Sequence, residues 1–431
     1  MIQERHKRFS LASAALAAML LIAALAEWAG PSSAQLVSSV PPDSSSQVQK
    51  PDGSGFEDKA TGDWGGARQR LEQAGIAIDA TFLVEGFGNF RGGLRTSPLV
   101  QASTTDLSLS LDAEKLFGWK GSTFYADLED HAGRNPSTLL VGDLQVFDKQ
   151  NSAPYLQVFE LWYQQKLCDD ILRLKIGKVD ANSEFSVIDN GLPFLNSSTQ
   201  VSPTVFVFPT TPDPMPSVNL FFTPDKSYYA SFGAYYANRS DTFGDLSGNP
   251  AAAQLTDFGT LFIGETGLQW GNAPIFACGG NLKVGFWEHT GTFTRFDGSE
   301  QQGTHGGYGI IDQTIWQPAG ESPDGRGVRA FLEYGRTQQI INPVYQHVGA
   351  GLTWKGLFAG RPDDIAGFSP QYCYLSRQAA LPFTYEMALE TFYRLQATPW
   401  AQLMPDLQYI IHPGGKYPDA LVGTIRMEVH F

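Results

Sequence analysis

From Ile76 onwards, apolar and polar residues alternate with a period of two. Ile76, Ile78, Ala80, Phe82 and Val84 fall on one face, and Ala77, Asp79, Thr81, Leu83 and Glu85 on the other. The pattern returns at Leu107, Leu109 and Leu111 against Asp106, Ser108, Ser110 and Asp112, then at Phe124, Ala126 and Leu128 against Tyr125, Asp127 and Glu129. Phe159, Leu161 and Tyr163 oppose Glu160, Trp162 and Gln164, and Leu172, Leu174 and Ile176 oppose Arg173 and Lys175. Similar runs follow at 228–236, 262–270, 282–289, 328–334, 348–354, 385–397 and 403–411. The chain closes on Leu421, Ile425, Met427, Val429 and Phe431 against Thr424, Arg426, Glu428 and His430. A β-strand sends successive side chains to opposite faces, so each run is a strand with one greasy and one charged side. About ten such residues fit a strand of a transmembrane barrel, whose outer wall meets lipid and whose lumen is wet. The edge strand of a soluble sheet would carry a similar pattern.

Turn-rich segments at 240–254, 296–307, 318–327 and 360–370 separate these runs. The pattern therefore predicts an all-β chain, a transmembrane antiparallel β-barrel. The stretch 57–431 divides among about sixteen strands at roughly 23 residues per strand and connection, and fourteen or eighteen strands would also fit. One helix precedes the barrel, at 63–75, with Asp63 as N-cap and Gly75 as the residue that ends it.

The N-terminus has a different character. Arg5, Lys7 and Arg8 precede an apolar run at 11–26 and the small residues Ser32, Ser33 and Ala34. The run is short of the ~20 residues that span a bilayer, so residues 1–34 read as a cleaved Sec signal peptide rather than an anchor. Residues 35–56 are rich in Ser, Pro and Gln and read as a disordered periplasmic leader ahead of the barrel at 57–431. Cleavage would remove three basic and two acidic residues and move the formal charge from −14 to −15.

That acidity argues against nucleic acid as a partner, which needs basic stripes to displace counterions. Charged residues make up only 17% of the chain, while aromatics make up 13% and Gly contributes 45 residues, a balance that leans towards a barrel with aromatic girdles. Cys168, Cys278 and Cys373 lie about a hundred residues apart, a spacing that suits neither a redox pair nor a metal site. No metal, cofactor or catalytic residue is expected, because GxSxG, HExxH and phosphate-loop motifs are absent. A barrel phospholipase and a secreted sugar-binding protein or glycosidase stand as rival readings; the terminal Phe431 counts against the second.

Four blocks carry a family resemblance. They are Thr61-Gly62-Asp63-Trp64-Gly65-Gly66, Glu160-Leu161-Trp162-Tyr163, Gly177-Lys178-Val179-Asp180-Ala181-Asn182, and the run from Pro405 through Asp406, Leu407, Gln408, Tyr409, Ile410, Ile411, His412 and Pro413 to Gly414 and Gly415. In this order, with the closing aromatic strand, the chain resembles the carbohydrate-selective porins of the OprB family. The resemblance implies a sixteen-stranded barrel in the bacterial outer membrane and passive diffusion of sugars through a constriction lined by charged and aromatic side chains. Glucose-like monosaccharides are favoured on this ground, with a general diffusion porin as the alternative. The partners it implies are carbohydrate, outer-membrane lipid and the assembly machinery, which would read the strand ending at Phe431. Association into a homotrimer stays open, since periodicity does not reach the outer-wall contacts.

A sugar presents many hydroxyls and weakly apolar faces, so its path needs fixed donors and acceptors beside flat rings, with each contact weak enough to release it. By alternation Asp127, Glu129, Glu160, Trp162, Arg173, Lys175, Lys283, Trp287, Glu386, Glu390 and Arg394 point into the lumen and are the candidates for that path. Two readings of them stand. The charges either meet the solute or pair across the lumen, and the two Trp residues belong either to the lumen or, after a one-residue slip, to the interfacial belt. Asp180, Asn182 and Glu184 open an irregular stretch that runs up to Pro216. It either folds inward as a constriction loop or forms a stiff external connection around its prolines.

Overall fold

The computed structural model describes residues 56–150, 152–237, 259–271, 278–320 and 325–431. The expected signal peptide at 1–34, the leader at 35–56 apart from Phe56, and the expected turn at 240–254 lie outside these residues.

The described residues build sixteen strands in chain order. The first four are β1 (Ile76–Arg91), β2 (Ser97–Asp112), β3 (Ser122–Gly133) and β4 (Tyr155–Leu167). They are followed by β5 (Leu172–Val179), β6 (Met215–Asp225), β7 (Tyr228–Ala237) and β8 (Gly259–Trp270). Next come β9 (Gly280–Thr294), β10 (Glu300–Trp316), β11 (Gly327–Thr337) and β12 (Val344–Lys355). The last four are β13 (Ile365–Leu375), β14 (Tyr385–Thr398), β15 (Ala401–Ile411) and β16 (Ala420–His430). Each pairs with its sequence neighbours, and β16 pairs antiparallel with β1 (Thr81 opposite His430, Phe87 opposite Thr424), so the sheet closes on itself. Closure leaves no unpaired edge, the condition for a sheet to cross lipid.

Burial is inverted relative to a water-soluble protein. Leu161 and Ile425 on the outer wall are 56% and 60% exposed, while Glu386 and Lys175 on the inner face are 0% and 1% exposed. Such a wall suits a hydrocarbon solvent, and the strands are what crosses it. No helix among the described residues is long and apolar enough to do so.

Two of the turn assignments were wrong. The 296–307 segment contains the start of β10, and 360–370 contains the start of β13. Alternation is masked there because β10 carries Gly303, Gly306, Gly307 and Gly309, and β13 carries Gly367 and Pro370. Five glycines of the wall, two of them in β10 and β13, have a packing role. Gly267, Gly285, Gly306, Gly351 and Gly367 stand directly opposite Tyr229, Tyr308, Trp287, Phe331 and Phe392 on the neighbouring strand. A Cβ at any of the five would sit 2.1–2.6 Å from its partner's ring, so glycine lets each inward aromatic lie flat along the wall.

The N-terminal helix spans Ala67–Ala74 after a short turn at Trp64–Gly66. Gly75 ends it at φ 95°, as expected, but the α-helical N-cap position belongs to Gly66. Asp63 reaches past the turn to accept the Gln69 N–H at 3.0 Å.

Candidate functional site

The β5–β6 connection, residues 180–214, lies inside the barrel. Its apolar side chains Phe185, Ile188, Phe194, Leu195, Val205, Phe206 and Phe208 are all buried. They share one cluster with the inward aromatics of the strands. Phe185 packs on Phe221 and Tyr235, with ring centroids 5.9 and 6.3 Å away. Phe194 sits edge-on to Phe331 and Phe392 at 5.9 and 4.9 Å. Phe208 meets Trp287 and Tyr308, both at 6.4 Å. The aromatic–glycine pairs of the wall thus form sockets for Phe194, Phe206 and Phe208, while Phe185 sits on Phe221 and Tyr235, each burial worth about 1.5–3 kcal/mol.

Wall carboxylates then accept the loop's backbone N–H groups. Glu160 Oε1 accepts Asp180 N–H at 2.8 Å, and Glu265 Oε2 accepts Ser186 N–H at 2.8 Å. Asp312 accepts Asp189 and Asn190 N–H at 3.2 and 2.8 Å. Glu390 accepts Leu195 and Asn196 N–H at 2.6 and 3.1 Å. A buried loop carries backbone groups that water no longer satisfies, and a carboxylate able to take two neighbouring N–H groups supplies what is missing. Within the loop, Asn182 Nδ2 donates to the carbonyls of Phe185, Ser186 and Gln200.

The β3–β4 connection, residues 134–154, also turns inward where it is described. Phe147 meets Phe87 of β1 at 5.8 Å, and Asp148 pairs with Arg426 at 3.0 Å while the same guanidinium bonds Glu85. Glu386 accepts the N–H groups of Leu144 and Gln145, and that of Gly414 from the β15–β16 turn at 2.6 Å. The two connections bond each other through Lys149 N–H to Leu195 O and Ser197 N–H to Val146 O, both 2.9 Å.

Charge is paired at the loop's first turn. Arg173 Nη2 lies 2.8 Å from Glu184 Oε2, and Lys175 also bonds Glu184. Burial works to raise the Glu184 carboxyl, but Arg173 and Lys175 outweigh it and hold the group down at about 2. Asp180, four residues earlier, is pushed up to about 6, chiefly by burial.

The residues expected along the solute path all lie on the inner face, but most are engaged. Glu160, Glu386 and Glu390 hold backbone N–H groups, and Arg173 and Lys175 hold Glu184. Lys283 bonds Asp189 at 2.9 Å and Val187 O at 2.7 Å. Glu129 accepts the Tyr155 hydroxyl, and Asp127 is buried within electrostatic range of Asp106, Glu129 and Glu160. Arg394 is half-buried on the inner face of β14. Trp162 and Trp287 face inward rather than into the interfacial belt, yet neither presents an open ring. Trp162 is stacked on Tyr125 at 4.8 Å with Lys175 Nζ 3.9 Å over its face, and Trp287 lies under Phe206 and Phe208. The notion of an exposed indole for stacking is corrected accordingly: inward direction and access to solute are separate properties. Asp180, Asn182 and Glu184 fall in the inward loop, whose prolines do not make an external linker.

Sequence reasoning missed Glu85, Asp148, Glu265, Asp312 and Arg426. Glu265 was legible in principle as the one carboxylate of β8, and Asp312 as a carboxylate after the apolar pair Ile310-Ile311, but their N–H partners lie in a loop with no period. Among the described residues, no group of three or more His, Cys, Asp and Glu side chains is arranged to hold a metal ion.

A closed sixteen-stranded barrel with an apolar outer wall, whose polar interior receives its own connections, has the architecture of a porin. The profile of the carbohydrate-selective porin, OprB family, matches residues 99–431, and the chain belongs to that family. Porin B of Pseudomonas aeruginosa is 24% identical, with 86% of this chain and 90% of that protein covered. The putative porin QuiX of Acinetobacter baylyi is 22% identical, with 86% and 92% covered. The high-pH structure of Pseudomonas putida OprB superposes with a TM-score of 0.77 at 21% identity, over 88% of this chain and 99% of that one. The protein is therefore a sugar-selective channel of the bacterial outer membrane.

Proposed function

We propose that the channel passes small sugars of the size of glucose, and that the seated loop at 180–214 is its constriction. The observation that carries this reading is the loop itself. It meets the inner face from Glu160 of β4 round to Gln408 of β15, so on this reading a solute passes beside it. The groups suited to meet a sugar are those that keep access to water, Asp189 with a side chain 33% exposed, Asn190 beside it, and Asp79, Glu428 and His430 on the wall at 46%, 22% and 20%. Carboxylates and an amide accept and donate to sugar hydroxyls, and their exposure keeps each contact weak, as conduction requires. Selection then rests on width and hydrogen bonding more than on ring stacking.

Liposome swelling with mono-, di- and trisaccharides, against amino acids of matched size, tests the reading. Monosaccharides should enter faster than amino acids of equal size, with a steep fall beyond disaccharides. Equal rates for all solutes of one size would replace it with a general diffusion porin. The same proposal includes Sec export through residues 1–34 and recognition of the Phe431 strand by the assembly machinery. It also includes homotrimers that bury part of the apolar wall, to be tested by sedimentation in detergent.

A further inference from the structure

We propose that Glu390, seconded by Asp312, sets the widest solute the channel admits by holding the junction of the two inward connections against the wall. Glu390 is 1% exposed, and its two oxygens take the consecutive N–H groups of Leu195 and Asn196. At the same point the connections are joined, since Leu195 O accepts Lys149 N–H and Ser197 N–H donates to Val146 O. Gln408 on the next strand spans the junction as well, donating to Phe147 O at 2.7 Å and accepting from Asn196 Nδ2 at 3.1 Å. One carboxylate therefore holds the place where both loops meet. Four strands away on β10, Asp312 takes the consecutive N–H groups of Asp189 and Asn190 and so fixes the same loop at a second point.

The division of labour follows from the physics of the two contacts. An aromatic socket attracts without fixing direction, whereas two charge-assisted bonds to consecutive N–H groups fix position and orientation together. Away from water, leaving those donors unmet is costly, so the seat tolerates little drift. The inference rests on the channel function and not on the preference for glucose-sized sugars.

The test uses full-length Glu390→Ala, Glu390→Gln and Asp312→Asn, each first shown to form the heat-modifiable barrel. In planar bilayers the Ala variant should visit wider open levels about ten-fold more often than the wild type, the change that about 1.4 kcal/mol brings. Its liposomes should admit trisaccharides that the wild type excludes. Gln keeps one acceptor oxygen and should fall between, and Asp312→Asn should shift the limit in the same direction. Comparing neutral sugars with one another keeps the outcome separate from sugar selectivity: a channel with no preference over amino acids would still show the shifted size limit. If Glu390→Ala does not fold, the Gln and Asp312→Asn variants carry the test. Folded variants with wild-type open levels and an unchanged size limit would overturn the proposal.

Discussion

Glu184 gives the sharpest handle on loop seating, through both substitution and pH. Its side chain is 1% exposed and bonded by Arg173 and Lys175. Burial alone would raise its carboxyl, yet the two cations hold it at about 2 against an ordinary 4.5. That difference corresponds to about 3 kcal/mol favouring the charged, seated form, as an order of magnitude. Because the seated carboxyl binds its proton less tightly than a released one, this contribution is complete above pH ~4.5 and fades as pH falls towards ~2. Asp180 acts with the opposite sign: raised to about 6, it favours the seated state as pH falls through 6 towards its ordinary 3.8. Glu184→Gln leaves Arg173 and Lys175 buried without their carboxylate, at a cost of about 3–5 kcal/mol. The barrel ladder and the Phe194 and Phe208 sockets persist, so the expected result is a folded barrel with a loosened loop. Single-channel recording from pH 7 to pH 2.5 measures it. The wild type should be steady to about pH 4 and then noisy, with wider open levels; the Gln variant should be noisy at pH 7 and should lack the further rise in noise below pH 4. A Gln variant that is quiet at neutral pH and keeps the wild-type acid transition would refute the reasoning.

Three further outcomes are expected. Trp162→Ala removes a buried indole between Tyr125 and Lys175 and should cost about 3–5 kcal/mol of barrel stability, read as a lower unfolding temperature in detergent, with sugar block of ion current little changed. A large loss of sugar block without loss of stability would return Trp162 to the solute path. Arg426→Leu strands Glu85 and Asp148 without their shared cation, so protease should cut the 134–154 connection more readily in the folded barrel; unchanged protection would contradict the role assigned to that pair. Deleting Phe431 removes the N–H that bonds Ala80 O at 2.8 Å beside the β1–β16 seam, and should lower the heat-modifiable fraction in the outer membrane while export continues. Wild-type levels of folded protein would make the terminal aromatic incidental.

The sequence by itself determined the wall. Alternation is a property of each strand taken alone, so Leu107 and Leu161 could be sent to lipid and Glu160 and Glu386 inward without knowing their neighbours. It failed at β6, which no predicted run covers, and at β10 and β13, where Gly306 and Gly367, which make room for Trp287 and Phe392, help to break the period. Those glycines belong to cross-strand pairs, and a pair is invisible until register is known. The tertiary structure decided the interior. Residues 180–214 carry no period, and their partners at Glu265, Asp312, Phe331 and Glu390 lie far along the chain, so nothing local could show that they fold inside. Alternation also gives a side chain's direction but not what it meets. Trp162 and Glu390 both face the interior, but Tyr125 and Lys175 on the neighbouring strands cover the ring of the first, and the loop makes the second a seat for backbone N–H groups, because burial is set by what the rest of the chain places there.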